Sequence, residues 1–502
     1  MKRISIFLIF LVSLTLMLGC TKDFDKFSEN PNDPQQVSTG FILTYAQKYL
    51  MDNMRDEWFG GRCTFLLSQY WAQNNYTDED RYLFRTTVTD AQWRYFYLGL
   101  MNLRDIVRLN TDEETKNDAL ANGANENQIA VANILTAYIM QIVTDTWGDV
   151  PFTQALLGNE NQTPVYDKQS SIYPALITML KDAAAMIDLN KDGIKSGDII
   201  YNGDMALWKK FANSLRLRIA LRMKAKDPAP FNEVVALGPD ALIASNDEIA
   251  AFKYVGVAPN NGPLYDAWFT ENRNDFTMSK PFVDLLKGVN DTLNSKTNPF
   301  TGIFDPRLPI FCTPVNGEYL GMPYGMTDSD TKAYAANCPN FKNDPSVVQA
   351  SDFSYVLMDY AEVCFILSEA NGWDQTWYAN GVEASLEWWG VAAGDIATYM
   401  AALPAANQER VLTQKYIALY PQGEQGWFEY RRTGFPHTLV HPGEITHVGT
   451  SGNIIFTPLE GNQIPRRLLY PIEEQGVNAN SYAAAVAQMG GDTQDINVWW
   501  AQ

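Results

Sequence analysis

From residue 41 to the C-terminus the apolar positions recur mostly with a helical period. In "VANILTAYIMQIVTDTWGDVP" (131–151), Val131, Ile134, Leu135, Tyr138, Ile142 and Val143 fall at i, i+3, i+4, i+7, i+11 and i+12. That is one apolar stripe on a 3.6-residue helix, and Gly148 and Pro151 supply its stop. "GDMALWKKFANSLRLRIALRM" (203–223) repeats the logic. Trp208, Phe211, Leu215 and Ile219 share a face, Asp204 is placed to cap the N-terminus, and the positive charges gather toward the C-terminal half, where the helix dipole favours them. In "SYVLMDYAEVCFILSEAN" (354–371), Asp359, Glu362 and Glu369 form the polar stripe of an otherwise apolar helix. The same reading predicts helices over 41–58, 91–110, 171–188, 381–403 and 407–420. Strand signals are short and scattered: 249–255, 308–315 and 452–459. The expected fold is mainly α: tetratricopeptide-like helix pairs in series, irregular ligand-bearing loops and a few short β-hairpins. No repeat of fixed period marks the pairs. No linker breaks residues 41–502, so they are expected to form a single domain.

The N-terminal pattern is different. Lys2 and Arg3 precede an almost wholly apolar run, Ile4 to Gly19. At 16 residues it is shorter than the roughly 20 needed to span a bilayer, and it fits the apolar core of a signal peptide over residues 1–19. Met17-Leu18-Gly19-Cys20 resembles a bacterial lipobox, in which the chain is cut before the cysteine and the cysteine is acylated. Cys20 is therefore the expected lipidation site, and the mature protein is expected to be anchored to a membrane rather than embedded in it. Residues 20–40, with "SENPNDPQQ" at 28–36, read as an extended polar tether.

Composition narrows the partners. With 38 Lys+Arg against 58 Asp+Glu the formal charge is −20. Such a surface repels nucleic acid and anionic head groups, so no nucleic-acid partner is expected. Beyond Cys20 there are four cysteines. Cys63 and Cys364 lie in apolar helical runs and read as buried free thiols, whereas Cys312 and Cys338 lie in loop-rich sequence and are the candidates for a disulfide.

Catalytic motifs are scarce. There is no G-x-S-x-G. His437, His441 and His447 are the only histidines, and Pro436 and Pro442 break the helix that would put the first two on one zinc-binding face. No local motif specifies the opposed carboxylates of a glycosidase. "DLNKDGIKSGD" (188–198) is more specific. Asp188, Asn190 and Asp192 alternate like the first ligands of a calcium loop, and Ile194 would add its carbonyl, but position twelve is Ile199 rather than a bidentate Glu. A polar Asx-turn and a Ca²⁺ site both fit this spacing; no other cofactor is expected. Two clusters have the make-up of a recognition surface. "SQYWAQNNYTDEDRY" (68–82) offers Trp71, Asn75 and Tyr76. "NNGPLYDAWFTENRNDF" (260–276) offers Tyr265, Trp268, Arg273 and Asp275. Flat rings among amides and a guanidinium suit a sugar, whose apolar face stacks while its hydroxyls need donors and acceptors. The competing reading is aromatic core beneath solvated loops.

"YAEVCFILSEANGW" (360–373), "QKYIALYPQGEQGWFEYRRTGFP" (414–436), "IPRRLLYP" (464–471) and "MGGDTQDINVWW" (489–500), with the 203–223 helix and the lipobox, together resemble the SusD/RagB family of outer-membrane nutrient-binding lipoproteins, in its SusD-like branch. The resemblance runs from Cys20 to Trp500. It implies a helical binding protein without catalysis, held by lipid on the cell exterior as the lid of a TonB-dependent transporter barrel, where it captures a glycan, or in some members a peptide. Asp23 and Asp25 are similar to the acidic surface-export signals of such lipoproteins. Ligand residues do not transfer by motif within the family. Glu429, Arg431 and Arg432 of "FEYRRTGFP" read as an internal ion-pair cluster rather than a ligand clamp. A surface glycoside hydrolase and a helical-repeat scaffold for protein partners are the alternatives.

Overall fold

The structure is a computed structural model that describes residues 37–341, 343 and 345–502. The expected signal, Cys20 and the tether up to residue 36 lie outside the described residues. Among those described, eleven helices have ten residues or more: α1 (Thr39–Met54), α2 (Thr86–Thr111), α3 (Asn125–Trp147), α4 (Gln169–Met186), α5 (Met205–Met223), α6 (Tyr360–Ala370), α7 (Gln375–Trp388), α8 (Ala393–Ala402), α9 (Gln408–Ala418), α10 (Gly423–Thr433) and α11 (Ala479–Met489). Helices α1 to α5 pack each on the next. α5 then meets α6, which packs on α7 and α9. This is the predicted succession of helix pairs.

Position in that stack decides how much of each helix is buried. α3 lies between α2 and α4, so burial extends well beyond the predicted stripe, and from Ala137 to Trp147 every residue is buried. By length and hydropathy it would pass as a membrane span, but 83% of its most apolar window is inside the fold. Gly148, at φ +92°, ends it. Asp204 caps α5 as expected, accepting from the amides of Ala206 and Leu207. The predicted helix 381–403 is divided into α7 and α8 at Gly390, whose φ is +72°, a left-handed turn that glycine adopts without a Cβ clash.

Charged side chains fasten the pairs together from within. Arg218 of α5 binds Glu362 of α6, and Arg222 binds Asp145 of α3 at 2.7 Å. Arg55, just past α1, binds Glu424 of α10 through both terminal nitrogens. The helix read over 354–371 begins only at Tyr360, because Ser354–Met358 is a strand and Asp359 is the N-cap; each of the three acids nevertheless has a structural role. Asp359 accepts from the Glu362 amide at 2.7 Å, Glu362 meets Arg218, and Glu369 meets Arg432 at 2.6 Å. Arg432 also reaches Glu429 at 2.5 Å, with Lys415 3.1 Å from the same carboxylate. Burial by itself would raise the Glu429 carboxyl, but Arg432 and Lys415 hold it well below the usual carboxylate range. Arg431 donates instead to the backbone carbonyls of Asp145 and Arg466.

Among the described residues, eight short strands make four antiparallel two-stranded ribbons: β1 (Trp71–Gln73) with β5 (Phe276–Met278), β2 (Val150–Pro151) with β3 (Tyr166–Asp167), β4 (Ala250–Lys253) with β6 (Ser354–Met358), and β7 (Ile445–Gly449) with β8 (Gly452–Ile455). The predicted strands at 249–255 and 452–459 are β4 and β8. The one at 308–315 is not a strand: Leu308–Phe311 is a helical turn. Pro309 near its start presets a helical φ, and the preceding Arg307 is pinned by Asp305 and Gln414. The four described cysteines beyond Cys20 are all free and buried. This agrees with the reading of Cys63 and Cys364, and Cys312 and Cys338 are not joined.

Candidate functional site

Residues 68–82 and 260–276 are nearly 200 residues apart, yet they meet. β1 and β5 pair with Trp71 opposite Met278, Ala72 opposite Thr277 and Gln73 opposite Phe276. The pairing continues where the Asn74 amide donates to the Asp275 carbonyl at 2.9 Å. Beyond the end of this ribbon the chain opens into a cleft of about 580 Å³, lined by residues 74–76, 271–275 and 277 and, from a third segment, by Lys332, Ala335 and residues 338–340. Of the seven residues expected to bind ligand, Asn75, Tyr76, Arg273 and Asp275 line this cleft.

The other three do not. Trp71 and Trp268 are fully buried, which corrects their assignment as stacking platforms. Trp71 packs against Phe65 (4.5 Å between centroids), Phe341 (5.2 Å) and Trp268 (5.7 Å), and its Nε1 donates to the Tyr420 hydroxyl at 3.3 Å. The two tryptophans form a block of core under the ribbon. The π-helical turn Asp266–Thr270 carries Trp268 inward and leaves Phe269 exposed. Tyr265 is half-buried against Phe269 and is not part of the cleft lining.

The polar side chains are held by a network of charges. Arg62 is 1% exposed and bonds Asp275 at 2.5 Å, with Glu79 at 3.5 Å. Asp275 is itself only 6% exposed, so it shapes the wall more than it offers a free carboxylate. Arg273 is a third exposed. It stacks its guanidinium on the half-buried Trp58 ring at 4.7 Å and lies 3.8 Å from Asp275. Held over the ring in this way, it lines the cleft as a planar cation rich in N–H donors. Tyr76 is 55% exposed at φ +56°, and its amide donates to Asp328 at 3.1 Å. Asp328 also binds Lys332 at 2.5 Å. The result is one open ring, asparagine amides, two cations and the carboxylates of Glu271 and Asp275 around an open, polar cavity. Lys332, Pro339 and Asn340 were not legible in the sequence, because no local pattern marks a loop that reaches the site only through the tertiary fold.

The remaining candidates fall elsewhere. In the 188–198 loop, Asp188 Oδ1 accepts from the Asn190 amide (2.9 Å) and side chain (3.3 Å). Lys195 lies 3.0 Å from Asp192, and Lys191 bonds Glu126. Asn127 bridges the carbonyls of Asp188 and Asp192. Ile194 is buried, its carbonyl pressed so close to Gly203 that a Cβ there would come within 2.0 Å. These contacts build an Asx-turn braced by lysines. Among the described residues, no three His, Cys, Asp or Glu side chains are grouped to hold a metal. An unchanged melting temperature in chelator would favour the Asx-turn alone, since a cation bound only to the native state stabilises it. A fall that Asp192→Ala abolishes would instead establish the Ca²⁺ site. The histidines are also dispersed in role: His437 packs on Phe435, His441 lies 3.4 Å from the Tyr430 hydroxyl, and His447 stands against Tyr334.

Residues 31–471 match the SusD-like family described as "Starch-binding associating with outer membrane". No curated protein matches the chain. Among solved structures it is similar to one named a chitin-binding protein (TM-score 0.75, 24% identity, 93% of this chain and 100% of the other). It is similar also to a SusD homologue from Bacteroides uniformis (0.72, 24%, 93% and 100%), and to a chitin-binding SusD homologue from Flavobacterium johnsoniae (0.71, 22%, 92% and 98%). The match over most of its length, on a fold of serial helix pairs shared with those structures, means that this chain belongs to the SusD-like family.

Proposed function

We propose that this protein binds an oligosaccharide in the Asn75/Arg273 cleft and delivers it to a TonB-dependent transporter of the outer membrane, to which it is tethered through lipid on Cys20. The observation that carries the reading is the cleft's chemistry: an open tyrosine ring and a flat, stacked guanidinium among side-chain amides. Such a lining stacks on a sugar and pairs its hydroxyls without deep burial. The family's description as starch-binding and the chitin-binding names of two similar structures support the ligand class. Binding is favoured over hydrolysis because Asp275, one of two carboxylates in the lining, is committed to Arg62, whereas glycoside cleavage needs two available carboxyl groups.

A lid that must release its cargo needs only modest affinity, micromolar to millimolar, or roughly −8 to −4 kcal/mol. The test is calorimetric titration of residues 37–502 with malto- and chito-oligosaccharides. Arg273→Ala and Tyr76→Ala are each expected to weaken binding about tenfold, ~1.4 kcal/mol, with little change in melting temperature. Unchanged affinity in both variants, or the appearance of new reducing ends, would overturn the reading. In native membranes the full chain should co-purify with a transporter barrel and Cys20→Ser should be found in the soluble fraction.

A further inference from the structure

A second cleft, of about 350 Å³, opens between the turn after α1 and the start of α2. Asn53, Trp58, Gln92 and Tyr95 are among the residues lining it. Trp58 and Tyr95 are half-buried, so each keeps ring surface open. Gln92 is 2% exposed, and its Nε2 has no hydrogen-bond partner in the protein. An amide donor buried without a partner is destabilising, and a ligand oxygen or a water reaching it from the cleft would relieve that. The rings continue outward. Tyr95 stands edge-on to Tyr49 at 5.9 Å, and Tyr49 stacks on Tyr45 at 5.4 Å.

The two clefts have a common wall. The Trp58 ring that lines the second carries, at 4.7 Å, the Arg273 guanidinium that lines the first. We infer that they form one track, and that the ligand is an extended oligosaccharide whose distal units stack on Tyr95 and meet the Gln92 amide. This rests on the glycan reading of the first cleft. A protein partner is the other class of occupant that exposed rings invite. The observations favour sugar at the cleft itself, because its rings and the apolar Val88 and Ala91 stand beside the side-chain amides of Gln92 and Asn53, and a polyhydroxylated ring uses both kinds of contact.

Chain length is the readout. For the wild type, affinity is expected to rise about tenfold or more from tri- to hexasaccharide in whichever of the malto or chito series binds. Tyr95→Ala and the volume-conserving Gln92→Met should abolish that gain and leave trisaccharide affinity unchanged. Arg273→Ala should weaken both lengths. Wild-type affinity independent of length would overturn the proposal, as would a gain retained in both Tyr95→Ala and Gln92→Met. So would loss of the co-purifying barrel in Tyr95→Ala with the length series intact, which would give this face to a protein partner. If Arg273→Ala leaves trisaccharide binding untouched, the reading of the first cleft fails, and the length series at Tyr95 and Gln92 still decides this one.

Discussion

Glu424→Ala should lower the stability of the fold by about 3–5 kcal/mol, the usual cost of removing one partner from a buried ion pair. Glu424 is fully buried at the start of α10, and both its oxygens accept from Arg55, which is 1% exposed and follows α1. The pair therefore joins the first of the described helices to one near the C-terminal end. Without the carboxylate, the Arg55 guanidinium remains in a site that water does not reach, and its Nε already has no partner. The cost comes from that stranded charge, since two apolar residues of similar volume often replace such a pair at little loss. The double variant Arg55→Met/Glu424→Leu should accordingly recover most of the stability. Urea unfolding of the three proteins measures both effects. A single variant that loses less than about 1 kcal/mol would mean that the pair is solvated and that α1 and α10 are held by packing alone.

Trp71→Ala is the second large effect, expected to cost about 3–5 kcal/mol as a buried aromatic truncation. The ring has no exposed surface and is enclosed by Phe65, Phe276, Phe341 and Trp268. The cavity left behind lies directly under the β1–β5 ribbon that positions the cleft, so the walls of the cleft should loosen along with the core. Tyr76→Ala, five residues on, is the contrast. Its ring is more than half exposed, and surface changes of that kind stay within about 0.5 kcal/mol. Measured together, the two separate packing from recognition: Trp71 should change the unfolding curve, and Tyr76 the binding curve. A Trp71→Ala protein of unaltered stability that no longer binds sugar would place the indole in the site after all.

Period and capping made the helices legible from sequence alone. The stripes at 131–143 and 208–219, the Asp204 cap and the stop at Gly148 all depend on residues within a few turns of one another, and a helix is a local object. The internal ion pair of Arg432 and Glu429 is legible for a related reason, since residues three apart on one helix are neighbours; Arg431, expected in the same cluster, donates to backbone carbonyls instead. Elsewhere local pattern misled. An apolar run with Pro309 inside it became a helical turn because Arg307 is held by Asp305 and Gln414, the second of which lies on α9.

The candidate site divides along the same line. Its polar half was readable, since asparagines and an arginine clustered in turn-forming sequence seldom enter a core. Its aromatic half was not, because an indole is equally at home in a core or on a binding face, and only what arrives from elsewhere in the chain decides between them. For Trp71 that was Phe341 and Tyr420; for Trp58, which the sequence did not single out, it was Arg273. The sequence by itself determined the helices and the chemistry of the two loops. The tertiary structure decided that the loops pair as a ribbon, that Trp71 and Trp268 lie beneath it, and that Lys332 and Asn340 help close the cleft. Each of those outcomes is a contact between distant segments, and burial belongs to such contacts rather than to the residue.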